Sequence, residues 1–288
     1  MTESQAGRRL ALFLLLTPVV LWLGLLIVLP HVEMLTISLR ERVSPQVYRF
    51  SLRHYAAFFA EPLYWITFAR TALYSLLVTA ITLVIAFPIA YIIAKIARGR
   101  AKSVLFILCL LPFWVSELVR TLGWMILLRE TGVVSRTLQI LGISGPVEFL
   151  YNDAAMVTGL VYTSLLFMLV PLVTTLEGLD AALVEAGYDL GGNWFTVLRE
   201  IIIPFAMPGI VAGCIVVFML ALGNYVAATL LGGKSSLWFT EQIYNQFITR
   251  FNWEQGSAFG FLLLVLSSLM VWIGLKLSGQ TLSSTMDR

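Results

Sequence analysis

Two charged residues, Glu117 and Arg120, interrupt an apolar stretch that is otherwise long enough to cross a membrane. Residues three apart share one face of a helix, so their side chains are expected to lie close enough to pair. Ionisable groups within a span are costly, and they usually face protein or a water-filled route. The spacing therefore predicts either a structural ion pair near the outer end of the third span or part of a translocation pathway.

Four other residues are candidates for the same pathway. Trp114 precedes Glu117 by three residues and is expected on nearby surface, while Tyr162 lies within the fourth apolar segment. Asn224 and Tyr225 follow a glycine in the middle to outer part of the fifth segment, where an amide and a phenol need hydrogen-bond partners. These two side chains are expected either to face the pathway or to hold neighbouring helices together.

A short stretch in the C-terminal half resembles part of a nucleotide-binding motif. Residues 232–235 read Gly-Gly-Lys-Ser, the end of a phosphate-binding loop. That motif requires a further glycine at position 228, where the chain has Ala228, and it also requires a preceding strand. We therefore reject a nucleotide site here, and any ATP that drives this protein must bind a separate subunit.

The other reactive residue types form no recognisable catalytic or metal-binding set. No Ser/His/Asp or Cys/His combination lies within plausible reach inside the apolar segments, and no Cys/His cluster has metal-ligand spacing. Cys109 and Cys214 both lie within apolar segments, which indicates packing thiols rather than a disulfide framework. The sequence therefore predicts neither an enzyme nor a metalloprotein.

The composition is that of an integral membrane protein. Of the 288 residues, 59% are hydrophobic and only 12% are charged, and the mean hydropathy is +0.89. Soluble domains average about a quarter charged residues. The net charge of +3, without a basic run interleaved with aromatics, gives no indication of nucleic-acid binding.

Apolar segments of spanning length predict the architecture. They lie at about residues 10–32, 71–94, 103–128, 154–176, 205–231 and 256–275. The predicted fold is therefore an all-α membrane protein with six transmembrane helices in a single domain over residues 1–288. Three further tryptophans, Trp124, Trp238 and Trp253, are expected at the membrane interface or in loops.

An even number of spans places both termini on one side of the membrane. Short loops that are rich in Lys and Arg favour the cytoplasm. The densest basic cluster follows the second segment, at Lys95, Arg98, Arg100 and Lys102. This cluster predicts that both termini, and the loop between the fourth and fifth spans, are cytoplasmic.

That loop is the most polar long stretch between apolar segments, and it predicts two short helices. Asp180 is placed to cap the first helix, and a glycine pair beginning at Gly191 is placed to end it. Asn193 is placed to cap the second helix. Pro204 and Pro208 are expected to interrupt that helix as the chain enters the fifth span.

The spacing of this loop resembles a signature of inner-membrane permease subunits of ABC importers, in the form E-A-A, three residues, G, nine residues, I-x-L-P. The chain matches that signature at Glu185, Ala186, Gly191, Ile201 and Pro204. It departs from it at Gly187, which replaces the third alanine, and at Ile203, which replaces the leucine.

The resemblance implies a type I importer permease whose loop, residues 180–204, contacts a cytoplasmic ATPase. It implies that Glu185 lies at that contact and that Gly191 permits the bend between the short helices. The residues expected to couple ATP hydrolysis to transport are Glu185, Ala186, Gly187, Asp189, Gly191, Ile201 and Pro204. The implied partners are a second, similar permease, two ATPase subunits that bind ATP and Mg, an external solute-binding protein and the lipid of a bacterial inner membrane.

Further stretches resemble the first permease subunit of spermidine/putrescine importers. They include the Pro-Phe-Trp run at residues 112–114 followed by Arg120, and the apolar segment around Tyr162. This resemblance implies a polyamine cargo, for which Glu117 with Trp114 or Tyr225 would offer a carboxylate and an aromatic face. Other cargoes carried by related permeases are opines, aminophosphonates, thiamine and oxyanions. A secondary transporter is the rival class, although charge inside the predicted spans is sparse.

Overall fold

The computed structural model describes residues 5–44, 47–141, 149–233 and 235–277, with side chains between residues 12 and 276. The helices, in chain order, are α1 Gln5–Leu23, α2 Leu29–Ser38, α3 Arg53–Ala60, α4 Pro62–Tyr91, α5 Arg100–Leu110, α6 Glu117–Leu127, α7 Val133–Ile140, α8 Asp153–Glu177, α9 Ala181–Asp189, α10 Trp194–Val197, α11 Ile203–Gly223, α12 Val226–Leu231, α13 Phe239–Tyr244 and α14 Trp253–Leu277. Shorter turns complete the helical part, with π-helical turns at Gly24–Val28, Ile92–Ile96, Leu198–Ile202 and Asn245–Thr249 and a 3₁₀ turn at Leu111–Trp114.

Five helical stretches within the described residues are long and apolar enough to cross a membrane. They are Leu12–Ser38, Pro62–Ile96, Asp153–Glu177, Trp194–Gly223 and Trp253–Lys276. The count becomes six if the bent pair Arg100–Trp114 and Glu117–Leu127 is one span. The protein is thus a multi-pass membrane protein, as its composition predicts.

The chain divides into two compact units, residues 1–64 with 242–265 and residues 65–241 with 266–288. The first unit adds a feature that hydropathy does not predict, an antiparallel hairpin of β1 Arg40–Ser44 and β2 Val47–Phe50. Glu41 accepts a hydrogen bond of 2.6 Å from Arg53, which lowers the pKa of the Glu41 carboxyl. The core of this unit is aromatic, because the Phe259 ring packs edge-on against Tyr64 and Phe58.

The second unit is built on the packing of α8 against α11. Small residues let the two helices approach closely, as is usual inside membranes. A Cβ atom on Gly209 would lie 2.6 Å from the carbonyl oxygen of Pro171 and 2.6 Å from Oγ1 of Thr175. A Cβ atom on Gly213 would lie 2.6 Å from Sδ of Met168. Both glycines are buried, so the close approach depends on their lack of a side chain.

The third predicted span is not one straight helix. Its two halves meet at an angle of 94°, which corrects the expectation of a continuous helix over residues 103–128. Pro112 lies in the 3₁₀ turn before the break, and Val115 is extended with φ −90° and ψ 136°. Ser116 then caps α6 by accepting a hydrogen bond from the backbone N–H of Val119. A proline followed by a Ser-Glu helix start is a readable signal for this break.

The fifth predicted span ends earlier than expected. Its helix ends at Gly223, so residues 205–231 do not form one helix. Asn224 is extended, with ψ 129°, and its side-chain oxygen accepts a hydrogen bond of 2.9 Å from the backbone N–H of Ala227. The amide therefore caps the separate helix α12, and Asn224 and Tyr225 lie at a break rather than within a span.

Pro204 and Pro208 do not interrupt the chain as it enters α11, contrary to the sequence expectation. The stretch Trp194–Gly223 is a continuous helical run. It contains a π-helical turn at Leu198–Ile202, in which the N–H of Ile203 bonds to the carbonyl of Leu198. Because this turn is wider than an α-turn, it relieves the clash that Pro204 would otherwise make with the preceding turn.

We predict that Gly209→Ala destabilises the protein and that Gly123→Ala does not. The added methyl at position 209 would meet a backbone oxygen that cannot move aside, whereas nothing lies within 4 Å of a Cβ atom at position 123. Overpacking of this kind costs about 1–3 kcal/mol, while Ala in place of Gly in a helix gains about 1 kcal/mol. Thermal unfolding of the purified protein, followed by tryptophan fluorescence, checks this. Equal melting temperatures for the two variants would contradict it.

Candidate functional site

A groove of about 520 Å³ lies where the two helix breaks of the second unit face each other. The break before α6 and the break after α11 both contribute to it. Its lining residues are Phe113, Glu117, Arg120, Thr163, Ser164, Phe167, Met219, Leu220, Gly223, Asn224, Tyr225 and Val226. Four of the six residues that the sequence predicts for the pathway therefore come together, namely Glu117, Arg120, Asn224 and Tyr225.

The Glu117 carboxylate joins the two breaks. Its Oε1 accepts a hydrogen bond of 2.5 Å from Nδ2 of Asn224. Glu117 is also the first residue of α6, where unpaired backbone N–H groups and the helix dipole favour a negative charge. A charge-assisted hydrogen bond and a helix N-terminus together hold the carboxylate at the wall of the groove.

Arg120 does not pair with Glu117, which corrects the expected ion pair. Among the described residues, no nitrogen of Arg120 lies within 4.0 Å of a Glu117 oxygen. The Nε atom of Arg120 is buried and has no hydrogen-bond partner among the described residues. The 2.5 Å hydrogen bond from Asn224 orients the Glu117 side chain toward the end of α11 rather than along α6 toward Arg120.

The other two predicted pathway residues lie outside this groove. The Trp114 side chain is 77% exposed, and the adjacent Phe113 lines the groove in its place, with its ring 5.7 Å from that of Phe167. Tyr162 packs edge-on against Trp124 at 5.5 Å. It lines a separate, smaller cavity of about 100 Å³ together with Arg120. Arg120 and Phe113 thus line both cavities.

The loop between α8 and α11 folds as a helical hairpin, residues 180–204, much as its sequence predicts. Asp180 accepts a hydrogen bond of 3.0 Å from the N–H of Ala182, and Asn193 accepts one of 2.9 Å from that of Thr196, so both caps are present. Gly191 has φ +83°, a conformation that glycine adopts without strain. This glycine ends α9, as expected.

Gly187 explains one departure from the permease signature. A Cβ atom there would lie 2.6 Å from Cδ1 of Ile201 and 3.3 Å from Cγ2 of Val197. Glycine at this position therefore lets α9 lie directly on the helix that follows it. Since the motif residue Ile201 is what fills this space, the two arms of the hairpin form one packed unit.

The opposite face of the hairpin is open. Glu185, Ala186 and Asp189 are exposed, and so is Pro204 at its end. Large apolar side chains accompany these residues, with Leu190 90% and Phe195 67% exposed. A packed hairpin that presents acidic and apolar groups together has the character of a protein-binding surface.

Contacts from α4 and α5 brace the base of the hairpin. Lys95, in the π-helical turn that follows α4, donates to the carbonyl oxygen of Glu177, the last residue of α8, at 3.3 Å, and to that of Leu179 just beyond it. Lys102 forms an ion pair of 2.8 Å with the Glu177 carboxylate. The ring of Tyr91 packs edge-on against Trp194 at 5.6 Å. The basic cluster and the hairpin therefore lie on the same side of the second unit.

Comparison with known proteins identifies relatives along most of the chain. The spermidine/putrescine transport system permease protein PotB of Haemophilus influenzae is 35% identical over 255 residues, covering 88% of this chain and 88% of that protein. PotB of Escherichia coli is 32% identical over 262 residues, covering 90% of this chain and 94% of its own. PotC of Escherichia coli is 36% identical over 105 residues, or 36% of this chain and 39% of its own. No family model matches the chain.

The chain belongs to the family of ABC importer permeases that includes PotB. A bacterial alginate ABC transporter, solved in complex with an alginate pentasaccharide-bound periplasmic protein, has the same fold. Its chain aligns with a TM-score of 0.73 over 96% of this chain and 97% of that chain, at 16% identity. Permeases of this kind are membrane subunits rather than enzymes, and their ATPase activity resides on a separate subunit.

The permease uses its Gly-Gly pair for packing. A Cβ atom on Gly233 would lie 2.0 Å from the carbonyl oxygen of Tyr151, so glycine permits close approach of two loops. Lys234, which completed the apparent phosphate-binding stretch, lies outside the described residues. The role of Gly233 is thus accounted for by the contact with Tyr151.

A polar cluster secures the loop that contains Gly233, and sequence reasoning missed it. We call it the Asp153 cluster and define it as Arg70, Tyr74, Asp153 and Ser236. One carboxylate oxygen of Asp153 accepts hydrogen bonds of 2.5 Å from both Arg70 and Ser236, and the other accepts one of 2.7 Å from Tyr74. Because Asp153 begins a span, its position in the sequence predicts only that it starts a helix.

The segment after the Asp153 cluster connects it to the groove of the permease. Trp238 is fully buried rather than at the membrane interface, and its ring fixes the segment in the core. The N–H of Phe239 donates to Oγ1 of Thr71 at 2.9 Å. Thr240 then donates to the backbone oxygen of Asn224 at 2.8 Å. The position of Asn224 thus depends on contacts that begin at Asp153.

We predict that Asp153→Asn lowers the stability of the purified permease by about 2 kcal/mol, because it weakens hydrogen bonds to a charged acceptor. The same substitution at the exposed Asp189 is the control, and it should leave the melting temperature unchanged. Thermal unfolding in detergent measures both. An Asp153→Asn variant as stable as Asp189→Asn would show that the Asp153 cluster does not stabilise the fold.

Proposed function

We propose that this permease forms half of the translocation pathway of an ATP-driven importer whose cargo is a polyamine such as spermidine or putrescine. The observation that carries the cargo assignment is the Glu117 carboxylate, held by Asn224 at the wall of a groove. The names of the PotB relatives support the same cargo class.

The groove offers what a flexible polycation needs. Glu117 supplies a negative charge for an ammonium group, and Phe113 and Tyr225 supply aromatic rings for cation–π contact. The hydroxyls of Thr163 and Ser164 lie on the same wall. These groups suit a chain of methylenes that carries spaced ammonium groups.

The partners that we propose are a second, similar permease, two ATPase subunits that bind ATP and Mg, and an extracytoplasmic solute-binding protein. The likeness of part of the chain to PotC supports a second permease that is related rather than identical. The periplasmic protein in the alginate transporter complex supports a binding-protein partner. The open face of the hairpin, with Glu185 at its centre, supports an ATPase contact.

We propose that the hairpin and both termini are cytoplasmic, in a bacterial inner membrane. Lys95 and Lys102 contact the chain just before the hairpin, so the basic cluster and the hairpin share one side, as the positive-inside rule requires. Closure of the ATPase dimer would then pull on a packed hairpin that continues directly into α11. A rigid two-helix unit transmits such a rigid-body motion to the spans.

Arg120 supports a second candidate cargo. A guanidinium in the groove suits a solute that carries an acidic group beside its amine, such as an opine or an aminophosphonate. The two candidates differ in what Arg120 does, since an acidic solute would bind to it and a polyamine would not.

We predict that Glu117→Gln reduces spermidine uptake by about tenfold, because the groove loses its charged acceptor. Uptake of labelled spermidine into proteoliposomes that contain the complete importer measures this. Glu130→Gln, an exposed glutamate outside the groove, is the matched control and should transport normally. Unchanged uptake by Glu117→Gln would rule out the groove as the polyamine route.

We also predict that Glu185→Lys uncouples the importer while the protein still inserts into the membrane. Charge reversal at a complementary contact costs several kcal/mol, so uptake should fall by more than about tenfold. Glu61→Lys reverses an exposed acid on another part of the chain and serves as the control. Measurement of cargo-stimulated ATP hydrolysis decides the matter, since normal stimulation in Glu185→Lys would refute the coupling role.

A further inference from the structure

The β-hairpin of β1 and β2 is attached to one end of the first span. The membrane-length stretch Leu12–Ser38 is followed, after a single residue, by β1. Phe50, the last residue of β2, lies opposite Arg40, the first residue of β1, so the chain returns to the point where it left the span. The N–H of Ser51 donates to the carbonyl oxygen of Leu39 at 2.8 Å. The β-hairpin therefore begins and ends beside the end of a span.

Helix α3 is held at the same place and exposes apolar side chains. The hydroxyls of Tyr55 and Ser38 share a hydrogen bond of 2.8 Å, which ties α3 to the end of α2. Leu52 and Phe59 are seven residues apart, a spacing that places them on one face of the helix. Their side chains are 57% and 70% exposed. This apolar face is thus left uncovered right next to the end of a span.

One face of the β-hairpin combines an arginine with two aromatic rings. Residues directly opposite in an antiparallel pair lie on the same face, so Arg40 and Phe50 share one. Tyr48 lies on that face too, with the centre of its ring 4.8 Å from the guanidinium carbon of Arg40. The Phe50 and Tyr48 side chains are 70% and 46% exposed. A cation beside open aromatic rings is typical of the boundary between membrane and water.

Arg40 has no counter-ion within the part of the chain that the structure describes. No carboxylate oxygen there lies within 4.0 Å of it, and its buried Nε atom has no hydrogen-bond partner. The adjacent Glu41 instead accepts a hydrogen bond of 2.6 Å from Arg53. A partly buried cation without an anion is costly. Arg40 is therefore available to an anionic ligand from outside the chain.

We propose that the β-hairpin and α3 lie along the membrane surface and that Arg40 binds the phosphate group of an anionic phospholipid. A phosphate offers the oxygen acceptors that match a guanidinium fork. The acyl chains of the lipid would cover the exposed side chains of Phe50, Leu52 and Phe59. Lipid is the ligand that the position favours, because the whole segment starts beside the end of a span.

The charge of the segment favours an anionic lipid over a zwitterionic one. Residues 39–61 contain four arginines and two glutamates, so their net charge is positive. Basic residues close to the membrane surface are attracted to anionic headgroups. The proposal goes beyond the proposed function, since it concerns neither the groove nor the cargo and holds for either orientation of the chain.

The first test measures whether the segment is immersed in lipid. A nitroxide label is attached to Phe50→Cys or to Phe59→Cys, in a permease whose two natural cysteines are replaced by alanine. The permease–ATPase complex is placed in nanodiscs that contain phosphatidylglycerol. At both positions, collisions of the label with a water-soluble nickel chelate should be as rare as for a label in the span, because hydrocarbon excludes polar solutes.

Two matched positions calibrate this measurement. Leu21→Cys places the label on an exposed position of the span Leu12–Ser38, and Glu130→Cys places it on an exposed position outside the spans. Labels at residues 50 and 59 that meet the chelate as often as the label at residue 130 would overturn the placement in the membrane. Exclusion of the chelate only after the solute-binding protein is added would assign the surface to that protein, and would also overturn the proposal.

The second test measures which headgroup binds. Thermal unfolding of the complex in detergent is followed while phosphatidylglycerol is added. The lipid concentration that gives half of the full stabilisation should rise about tenfold in Arg40→Gln, the effect of one charged hydrogen bond. Arg49→Gln is the matched control, because Arg49 lies opposite Glu41 in the same β-hairpin and its side chain is 75% exposed. It should respond to the lipid like the unmodified permease.

Each outcome of the second test bears on the proposal. Phosphatidylcholine should stabilise the complex less than phosphatidylglycerol, and equal stabilisation would overturn the preference for an anionic lipid. Equal stabilisation by glycerol 3-phosphate, which has no acyl chains, would show a site for a free phosphate and overturn the lipid assignment. An unchanged response in Arg40→Gln would overturn the role of Arg40. If Arg40→Gln does not fold, the nitroxide measurement still decides the placement, since it leaves Arg40 intact.

Discussion

A chain that crosses the hydrocarbon core of a membrane must satisfy its backbone hydrogen bonds internally, and this constraint governs the second unit of the permease. Two helices nevertheless break, before α6 and after α11. Each break has a side chain that compensates for the lost backbone bonds, since Ser116 caps α6 and Asn224 caps α12. The hydrogen bond from Asn224 to Glu117 then links the breaks to each other. The irregular backbone at the two breaks thus requires polar side chains, and the same side chains give the groove its chemistry.

The rest of the unit keeps these breaks in place. Close packing at Gly209 and Gly213 fixes α8 against α11. At one end of α8 the Asp153 cluster secures the loop that reaches Asn224, and at the other end Lys95 and Lys102 secure the chain that enters the hairpin. Polar contacts therefore hold both ends of α8, while its middle is held by close packing against α11.

Local patterns in the sequence predicted the spans and the hairpin because the signals for both lie within a few residues. Apolar length marks a span, and Asp180, Gly191 and Asn193 mark the hairpin by the conformations they favour. The hydrogen bond between Glu117 and Asn224 joins residues 107 apart in sequence, so spacing could not reveal it. The spacing rule that paired Glu117 with Arg120 was wrong, because the tertiary contact with Asn224 orients the carboxylate away from its own helix. Hydropathy also hid the breaks, because it averages over more residues than a break occupies.

The π-helical turn at Leu198–Ile202 has a consequence for how such permeases tolerate sequence change. A π-turn accommodates one residue more than an α-turn, and each residue of an α-helix contributes about 100° of rotation. Deletion of a single residue within this turn would leave an ordinary α-turn with the same full rotation, so the hairpin would keep nearly the same direction relative to α11. Deletion of a residue from the α-helical part of α11 would instead turn the hairpin by about 100°, away from a docked partner. The π-helical turn is thus the place in this helical run where the chain can lose a residue and keep the direction of the hairpin.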